Sequence, residues 1–214
     1  VDLTVNNGDF ITVIGGNGAG KSTLLNAIAG VWRIDEGKMV LDGEDITRLP
    51  EYKRAKFLGR VFQDPSKGTA ADMQIDENLA LAARRNKIRG LKWGVKAKEK
   101  EEYKNLLAQF ELGLETRTGQ KVGTLSGGQR QALTLLMASL SNPRLLLLDE
   151  HTAALDPKTA KKVLTLTDEI IKRDKLTAIM ITHNMNDAIT HGNRLVMMNA
   201  GKIIFDVEGE EKKK

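Results

Sequence analysis

Residues 10–30 have the sequence FITVIGGNGAGKSTLLNAIAG, and this segment decides the predicted fold. The apolar run Phe10–Ile14 predicts a buried strand. A glycine-rich turn follows it, and Lys21–Ala29 predicts a helix that ends at Gly30. A buried strand that passes through glycine residues into a helix is typical of an α/β fold with a parallel sheet.

The rest of the chain alternates between strand-like and helix-like segments in the same way. Short continuous apolar runs, such as Leu145–Leu148 and Ala178–Ile181, are expected for parallel strands that are covered on both faces. Two segments joined by Ala200-Gly201 predict a C-terminal β-hairpin. The remaining predicted strands, including the two of the hairpin, are Lys38–Leu41, Leu58–Phe62, Arg194–Met198 and Lys202–Phe205.

The turn after the first strand matches the pattern G-x-x-x-x-G-K-[ST]. Its glycines let backbone N–H groups face a phosphate without interference from Cβ atoms, and the following helix N-terminus favours an anion. Lys21 is expected to reach the β- and γ-phosphates, the Ser22 hydroxyl to bind Mg²⁺, and Thr23 to contact the α-phosphate. The predicted nucleotide-binding residues here are Gly15, Asn17, Gly18, Ala19, Gly20, Lys21, Ser22 and Thr23. The loop alone does not distinguish kinases, GTPases and ATPases.

The middle of the chain has a different pattern. From Ile75 to about Leu112 the sequence is helical, rich in charge and without a convincing strand. No internal repeat or low-complexity linker divides the chain. We therefore predict one domain over residues 1–214, with a P-loop NTPase core of RecA-like fold at residues 1–63 and 141–214. An inserted α-helical subdomain would comprise residues 64–140.

The predicted strand Leu145–Leu148 ends in two carboxylates, Asp149 and Glu150. The carboxyl ends of parallel strands are where ligands bind in an open α/β sheet. Asp149 is expected to hold Mg²⁺, through water. Glu150 is expected to lie on the γ-phosphate side, where a carboxylate can activate the attacking water.

The pentapeptide LSGGQ at residues 125–129 extends this pattern, and with it the chain resembles the ATP-binding-cassette (ABC) ATPases. The resemblance covers essentially the whole chain. Six family motifs each occur once and in family order: the phosphate loop, VFQDP (61–65), LSGGQ, LLLLDE (145–150), ALD (154–156) and ITHN (181–184).

The LSGGQ segment predicts a second anion site at a helix N-terminus. The Ser126 hydroxyl and the N–H groups of Gly127 and Gly128 would form it, followed by Gln129. The resemblance implies that this site closes over the γ-phosphate held by the opposite subunit. Two chains, expected to be a head-to-tail homodimer, would then enclose two ATP molecules.

Further roles follow from the resemblance alone. Gln63 resembles the family glutamine that contacts Mg²⁺ and the attacking water, and His183 resembles the histidine that hydrogen-bonds the γ-phosphate. Asp156 matches the aspartate that couples the two sites, although Asp156-Pro157 is also a good helix start. The motifs and the resemblance together predict three catalytic residues, Glu150, His183 and Gln63, and three Mg²⁺ ligands, Ser22, Gln63 and Asp149.

The sequence departs from the family pattern in two places. Most members have proline after the catalytic glutamate, where this chain has His151, which either perturbs the base or replaces a rigid turn residue. Members also have an upstream antiparallel strand with an aromatic residue that stacks on adenine. That strand is expected to be partly missing here, because Phe10 falls within the predicted core strand and no Tyr or Trp precedes it.

Composition excludes several classes of protein. The 214 residues include no cysteine, which excludes disulfide scaffolds, thiol catalysis and iron–sulfur clusters. The longest apolar run, Leu79–Ala83, is far shorter than the roughly 20 residues of a membrane-spanning helix. No signal peptide opens the sequence, so the cytoplasm is the expected compartment.

The net charge of +5 arises from one segment, Arg84–Lys104, which has nine cations and three glutamates. Its net +6 leaves −1 for the rest of the chain. The segment is interpreted as a solvated helical face, a surface near anionic lipid headgroups, or a nucleic-acid contact. Nucleic acid is not expected, because Trp93 and Tyr103 are the segment's only aromatics and no nucleic-acid motif occurs.

The resemblance implies the ATPase subunit of a membrane transporter, located at the inner face of the membrane through a separate permease. Its length is similar to that of prokaryotic importer subunits, which can also work with an extracytoplasmic solute-binding protein. The alternative is a soluble cassette ATPase that acts on ribosomes or DNA. LSGGQ argues against a small-molecule kinase. The segment DEHTAALDPKTA (149–160) is faintly similar to cassettes whose partners handle amino acids or similar small solutes.

Overall fold

The computed structural model describes residues 1–85, 87 and 94–213. The eight strands of this part are β1 (Phe10–Ile14), β2 (Val40–Leu41), β3 (Glu44–Asp45), β4 (Leu58–Val61), β5 (Leu145–Asp149), β6 (Ala178–Ile181), β7 (Arg194–Asn199) and β8 (Lys202–Glu208). Its α-helices are α1 (Lys21–Ala29), α2 (Glu51–Arg54), α3 (Ile75–Ala83), α4 (Ala97–Ala108), α5 (Gly127–Ser139), α6 (Pro157–Asp174) and α7 (Met185–Thr190). Short 3₁₀ helices occupy Pro65–Gly68, Val122–Thr124 and Gly209–Lys213.

A six-stranded sheet forms the centre of the molecule, in the order β4-β5-β6-β1-β7-β8. The first five strands in this order are parallel, and β8 pairs antiparallel with β7 as the predicted hairpin. The strand ends are aligned, since Val61 pairs with Leu148 and both Asp149 and Val13 pair with Ile181. The segments that follow β1, β4, β5 and β6 therefore leave the sheet at one edge. The predicted α/β class is confirmed.

The two faces of the sheet are covered by different helices, because successive side chains of a strand point to opposite faces. Leu146 and Leu148 belong to the buried cluster that includes residues of α3, α4, α5 and α6. Leu145 and Leu147 pack instead with Leu25 of α1. The first cluster runs without a break from the sheet into the helical region, so the subdomain boundaries at residues 64 and 140 remain a prediction.

The strand predicted at Lys38–Leu41 is present but shorter, since it covers only Val40–Leu41. It lies outside the parallel sheet and pairs antiparallel with β3. Val40 is exposed, which is not compatible with a strand covered on both faces. The Asp42-Gly43 pair that joins β2 to β3 is a strong hairpin signal in the sequence.

The basic segment is described only in part, and Arg89, Lys92 and Trp93 lie outside the described residues. Arg84 forms an ion pair with Glu99 at 2.9 Å, and the Arg85 guanidinium donates to the Leu58 carbonyl at 2.9 Å. These two cations hold α3 to neighbouring elements, so they are not free for an external partner.

A buried arginine joins α1 to the small β2–β3 sheet. Arg54 is 2% exposed and donates hydrogen bonds to the carbonyls of Ala27, Ile28, Leu49 and Thr47 at 2.6–2.9 Å. Burial lowers the pKa of its guanidinium from the ordinary value. The carbonyls at the end of α1 obtain donors in this way, as helix C-termini require.

Replacement of Arg54 by Met is expected to lower the free energy of unfolding by about 3 kcal/mol, because four buried carbonyls lose their donor. The stability of Arg54→Lys should lie between those of the wild type and Arg54→Met, because an ammonium group can replace only some of the hydrogen bonds of the guanidinium. Urea unfolding measures both. The exposed Arg48→Met is the matched control and should stay within about 0.5 kcal/mol of the wild type. Equal stability of the Met variants at residues 54 and 48 would contradict this role.

Candidate active site

The predicted phosphate loop lies between β1 and α1, at the sheet edge where the strands end. A Cβ atom at Gly15 would overlap the main-chain carbonyl of Met198 on β7, so this position requires glycine. The Gly201 N–H donates to the Ala19 carbonyl at 3.0 Å, which fixes the loop to the turn between β7 and β8. Asn17 and Gly18 are exposed at the tip of the loop.

Lys21 is folded back over the loop that precedes it. Its ammonium donates to the carbonyls of Gly15 at 2.7 Å and Gly16 at 3.1 Å, and the residue is 5% exposed. Ser22 and Thr23 are exposed in the first turn of α1, beside backbone N–H groups that have no acceptor inside the helix. The structure thus brings the predicted loop residues together at the N-terminus of α1.

The predicted catalytic carboxylate is paired with the predicted histidine. Glu150 Oε1 lies 2.5 Å from His183 Nε2, and the Glu150 N–H donates to the Ile181 carbonyl at 3.1 Å. Glu150 also has a φ of 48°, an unusual backbone conformation for a residue with a side chain, of the kind that is held in place at functional sites. Glu150 and His183 follow neighbouring strands, which is why residues far apart in sequence meet.

Asp149 ends β5 and faces an arginine that the sequence analysis did not single out. Asp149 Oδ2 lies 3.4 Å from Nη2 of Arg60 on β4, and the same nitrogen donates to Asn26 Oδ1 of α1 at 2.7 Å. The sequence gives one sign of this residue, a charge within the otherwise apolar stretch LGRVF. It does not show the partners of Arg60, because they belong to other elements.

The oxygen donors predicted for Mg²⁺ suit that ion chemically, since a carboxylate, a hydroxyl and an amide are all hard ligands. Among the described residues, no group of three or more His, Cys, Asp or Glu side chains could hold a metal ion by itself. One carboxylate with few protein ligands fits a cation that is bound largely through phosphate and water.

Gln63 follows β4 and is exposed. The residue before it is tied to α5, because the Gln131 amide donates to the Phe62 carbonyl at 3.0 Å. Gln131 was also missed by the sequence analysis. It connects Phe62 and Gln63, here called the Gln63 segment, with α5, which begins within LSGGQ.

The LSGGQ segment forms the start of α5. Ser126 is the N-cap residue and accepts from the Gln129 N–H at 3.3 Å, while the Gln129 side chain accepts from the Ser126 N–H at 3.2 Å. Gln129 also donates to the Leu112 carbonyl, so its side chain is occupied within the fold. A Cβ atom at Gly128 would overlap the methyl group of Thr159. Ser126 and Gly127 remain exposed to solvent.

Asp156 is the N-cap of α6, with Pro157 in the first turn as predicted. Its carboxylate accepts from the Thr159 N–H at 3.1 Å, and hydrogen bonds from Thr159 lower the pKa of this carboxyl from its ordinary value. The starts of α5 and α6 thus meet at Gly128 and Thr159.

His151 behaves as a core residue. It is 2% exposed, and its Nε2 lies 3.0 Å from Thr167 Oγ1 on α6. Burial and, to a smaller extent, the charge of His191 lower the pKa of the His151 imidazole to about 4, so the ring is neutral at physiological pH. These contacts support the interpretation that His151 takes the place of the family's turn proline, and not the alternative that it perturbs the proposed base Glu150.

Comparisons with known proteins identify the family of the chain. Residues 1–153 match the family described as ABC transporter. The tyrosine transport ATP-binding protein of Clostridioides difficile is 46% identical over 212 residues, which is 99% of this chain and 84% of that protein. The spermidine/putrescine import ATP-binding protein PotA of Haemophilus influenzae is 37% identical over 205 residues, 96% of this chain. The chain spans 52% of the length of that relative.

Two solved structures share the fold over nearly the full chain. The ADP conformation of MJ1267, an ATP-binding cassette of an ABC transporter, has a TM-score of 0.81 at 31% identity and covers 100% of this chain and 85% of its own. A dimeric post-hydrolysis state of the cassette MJ0796 with ADP and Pi has a TM-score of 0.80 at 29% identity, covering 97% and 88%.

The chain therefore belongs to the ABC transporter family, and it is an ATPase of the cassette type. It acts as the ATP-driven motor of a membrane transporter, and the relatives give no support to the ribosome or DNA alternative. Within the described residues, none of the helices is both long and apolar enough to span a bilayer.

Proposed function

We propose that this chain is the ATPase subunit of an importer and that it hydrolyses MgATP at sites completed by a second copy. The close pair of Glu150 and His183, whose Oε1 and Nε2 atoms lie 2.5 Å apart at the sheet edge that bears the phosphate loop, is the observation that carries this proposal. The exposed N-terminus of α5 at Ser126 is a second anion-binding element of the same chain. Each chain thus supplies two half-sites, which a head-to-tail dimer would combine into two complete ones.

In the proposed reaction, the loop N–H groups, Lys21 and Thr23 bind the phosphates and set them in line for attack. Ser22, Gln63 and Asp149 would hold Mg²⁺, which neutralises phosphate charge. Glu150 orients water and accepts its proton while the bond between the β–γ bridging oxygen and the γ-phosphorus breaks.

His183 fixes the position of Glu150 in this scheme. In the structure His183 Nε2 lies 2.5 Å from Glu150 Oε1, which keeps the carboxylate beside the strand ends before nucleotide engages the histidine. With nucleotide bound, His183 hydrogen-bonds the γ-phosphate, and ADP and phosphate leave when the dimer reopens.

The solute is proposed to be an amino acid or a similar small amine. This follows from the names of the relatives, one of which serves tyrosine transport and another spermidine/putrescine import. A permease and an extracytoplasmic solute-binding protein are the proposed partners, and the chain would act on the cytoplasmic side of the membrane.

A groove of about 530 Å³ between the Gln63 segment and the helical region is the proposed docking place of a permease helix. Phe62, Leu81 and Met137 give it apolar walls. Leu81 is 43% exposed although it is a large apolar residue, which is typical of a surface that a partner covers.

Replacement of Leu81 by Asp is expected to reduce recovery of the permease with the tagged chain by about tenfold, because a charge enters the apolar groove. The integral membrane protein that co-purifies from the native membrane is quantified by mass spectrometry. Ile204→Asp, at an exposed aliphatic residue of β8, is the matched control and should leave recovery unchanged. Equal losses in both variants would contradict docking in this groove, and recovery with ribosomes or DNA instead would overturn the transporter assignment.

A further inference from the structure

Arg60 brings a positive charge close to Asp149, one of the predicted Mg²⁺ ligands, and it has no role in the proposed reaction. It lies on β4 opposite Leu147 of β5, two residues before Asp149, so its side chain is on the face that Asp149 shares. The side chain is 14% exposed. Burial of a guanidinium to this degree costs free energy of desolvation, which hydrogen bonds and ion pairs must offset.

Three side chains contact the Arg60 guanidinium. Its Nη2 donates to Asn26 of α1 at 2.7 Å, and its Cζ lies 4.6 Å from the centre of the Phe62 ring. The contact to Asp149 is longer, at 3.4 Å. The buried Nε has no hydrogen-bond partner within the described structure. The neutral partners therefore fix Arg60, and Asp149 is the looser of its contacts.

We propose that Arg60 is a positioning residue that competes with Mg²⁺ for Asp149. This inference rests on the proposed role of Asp149 as a metal ligand. Because Asn26 and Phe62 retain the guanidinium when Asp149 turns to the metal, a positive charge stays close to the bound cation. Two cations that share one carboxylate repel each other. The site then binds Mg²⁺ weakly on its own and depends on the negative charge of the nucleotide.

Two opposite effects of Arg60 on metal binding need to be compared. Removal of the side chain frees the Asp149 rotamer, which weakens metal binding, and it also removes a repelling charge, which strengthens it. The entropy cost of ordering the short Asp149 side chain is the smaller of the two effects. The repulsion between a divalent ion and a partly buried guanidinium a few ångströms away is larger. The net result of removal is tighter Mg²⁺ binding.

The test compares the affinity for a fluorescent ADP analogue in Mg²⁺ with the affinity in EDTA, since the ratio measures how strongly the metal is held. Arg60→Met, or Arg60→Gln if the first variant does not fold, is expected to raise this ratio about tenfold. Arg60→Lys keeps the charge and should stay within about twofold of the wild type. A merely structural role of Arg60 would lower the ratio or leave it unchanged.

An unchanged or lower ratio in both Arg60→Met and Arg60→Gln would overturn the inference. Asp149→Asn separates this failure from a failure of the proposed function. It should lower the ratio below the wild-type value if Asp149 holds the metal, and a wild-type ratio in that variant would remove Asp149 from the site and the inference with it.

Discussion

Replacement of Glu150 by Gln is expected to lower ATP turnover by about 10²- to 10⁴-fold while MgATP binding is retained. Glutamine has nearly the same size and shape as glutamate, so it can keep the position of the carboxylate, whose Oε1 lies 2.5 Å from His183 Nε2. An amide cannot take the proton of the attacking water, so the contribution of the general base is lost. Steady-state phosphate release measures the effect.

The matched control for this change is Glu169→Gln, an exposed carboxylate on α6. It has the same change of charge and should retain wild-type turnover. Wild-type turnover in Glu150→Gln would remove Glu150 from the catalytic role and would leave its left-handed backbone conformation without a functional reason.

Replacement of Lys21 by Ala is expected to weaken nucleotide binding about 100-fold. In the structure the Lys21 ammonium is bound by the carbonyls of Gly15 and Gly16, so it is already in place above the phosphate loop. A charge-assisted contact to phosphate in this low-exposure position contributes about 3 kcal/mol. Equilibrium binding of ATP, measured with and without Mg²⁺, gives the change directly.

Lys158→Ala is the control for the loss of one positive charge, because Lys158 is an exposed residue of α6. It should bind ATP as the wild type does. A dissociation constant of Lys21→Ala within about twofold of the wild-type value would show that the loop does not bind phosphate through this side chain.

The sequence was sufficient to predict elements whose signal is local. Phe10–Ile14 and Lys21–Ala29 have the predicted bounds, because an apolar run and a glycine boundary mark each of them. The start of α6 at Asp156-Pro157 is local in the same way. The pairing of the strand at Val40–Leu41 could not be predicted, because a short apolar run does not show which strand it pairs with.

Contacts between distant elements could not be predicted from the residues alone. The pair of Glu150 and His183 depends on the register of β5 against β6, which the sequence does not specify. The position of Arg60 between Asn26 and Asp149 likewise requires α1, β4 and β5 to be assembled. His151 illustrates the same limit, since only its burial against Thr167 distinguished a core residue from a modifier of the base.

Each ATP site is proposed to be built from two chains. Sedimentation equilibrium of Glu150→Gln with MgATP tests it most directly, because bound nucleotide persists when hydrolysis is blocked. We predict a dimer that binds two ATP molecules, returns to monomers in EDTA, and does not form when Ser126→Arg is added at the exposed start of α5. A monomer that binds MgATP with full affinity at every concentration, or a dimer that is indifferent to Ser126→Arg, would contradict the claim.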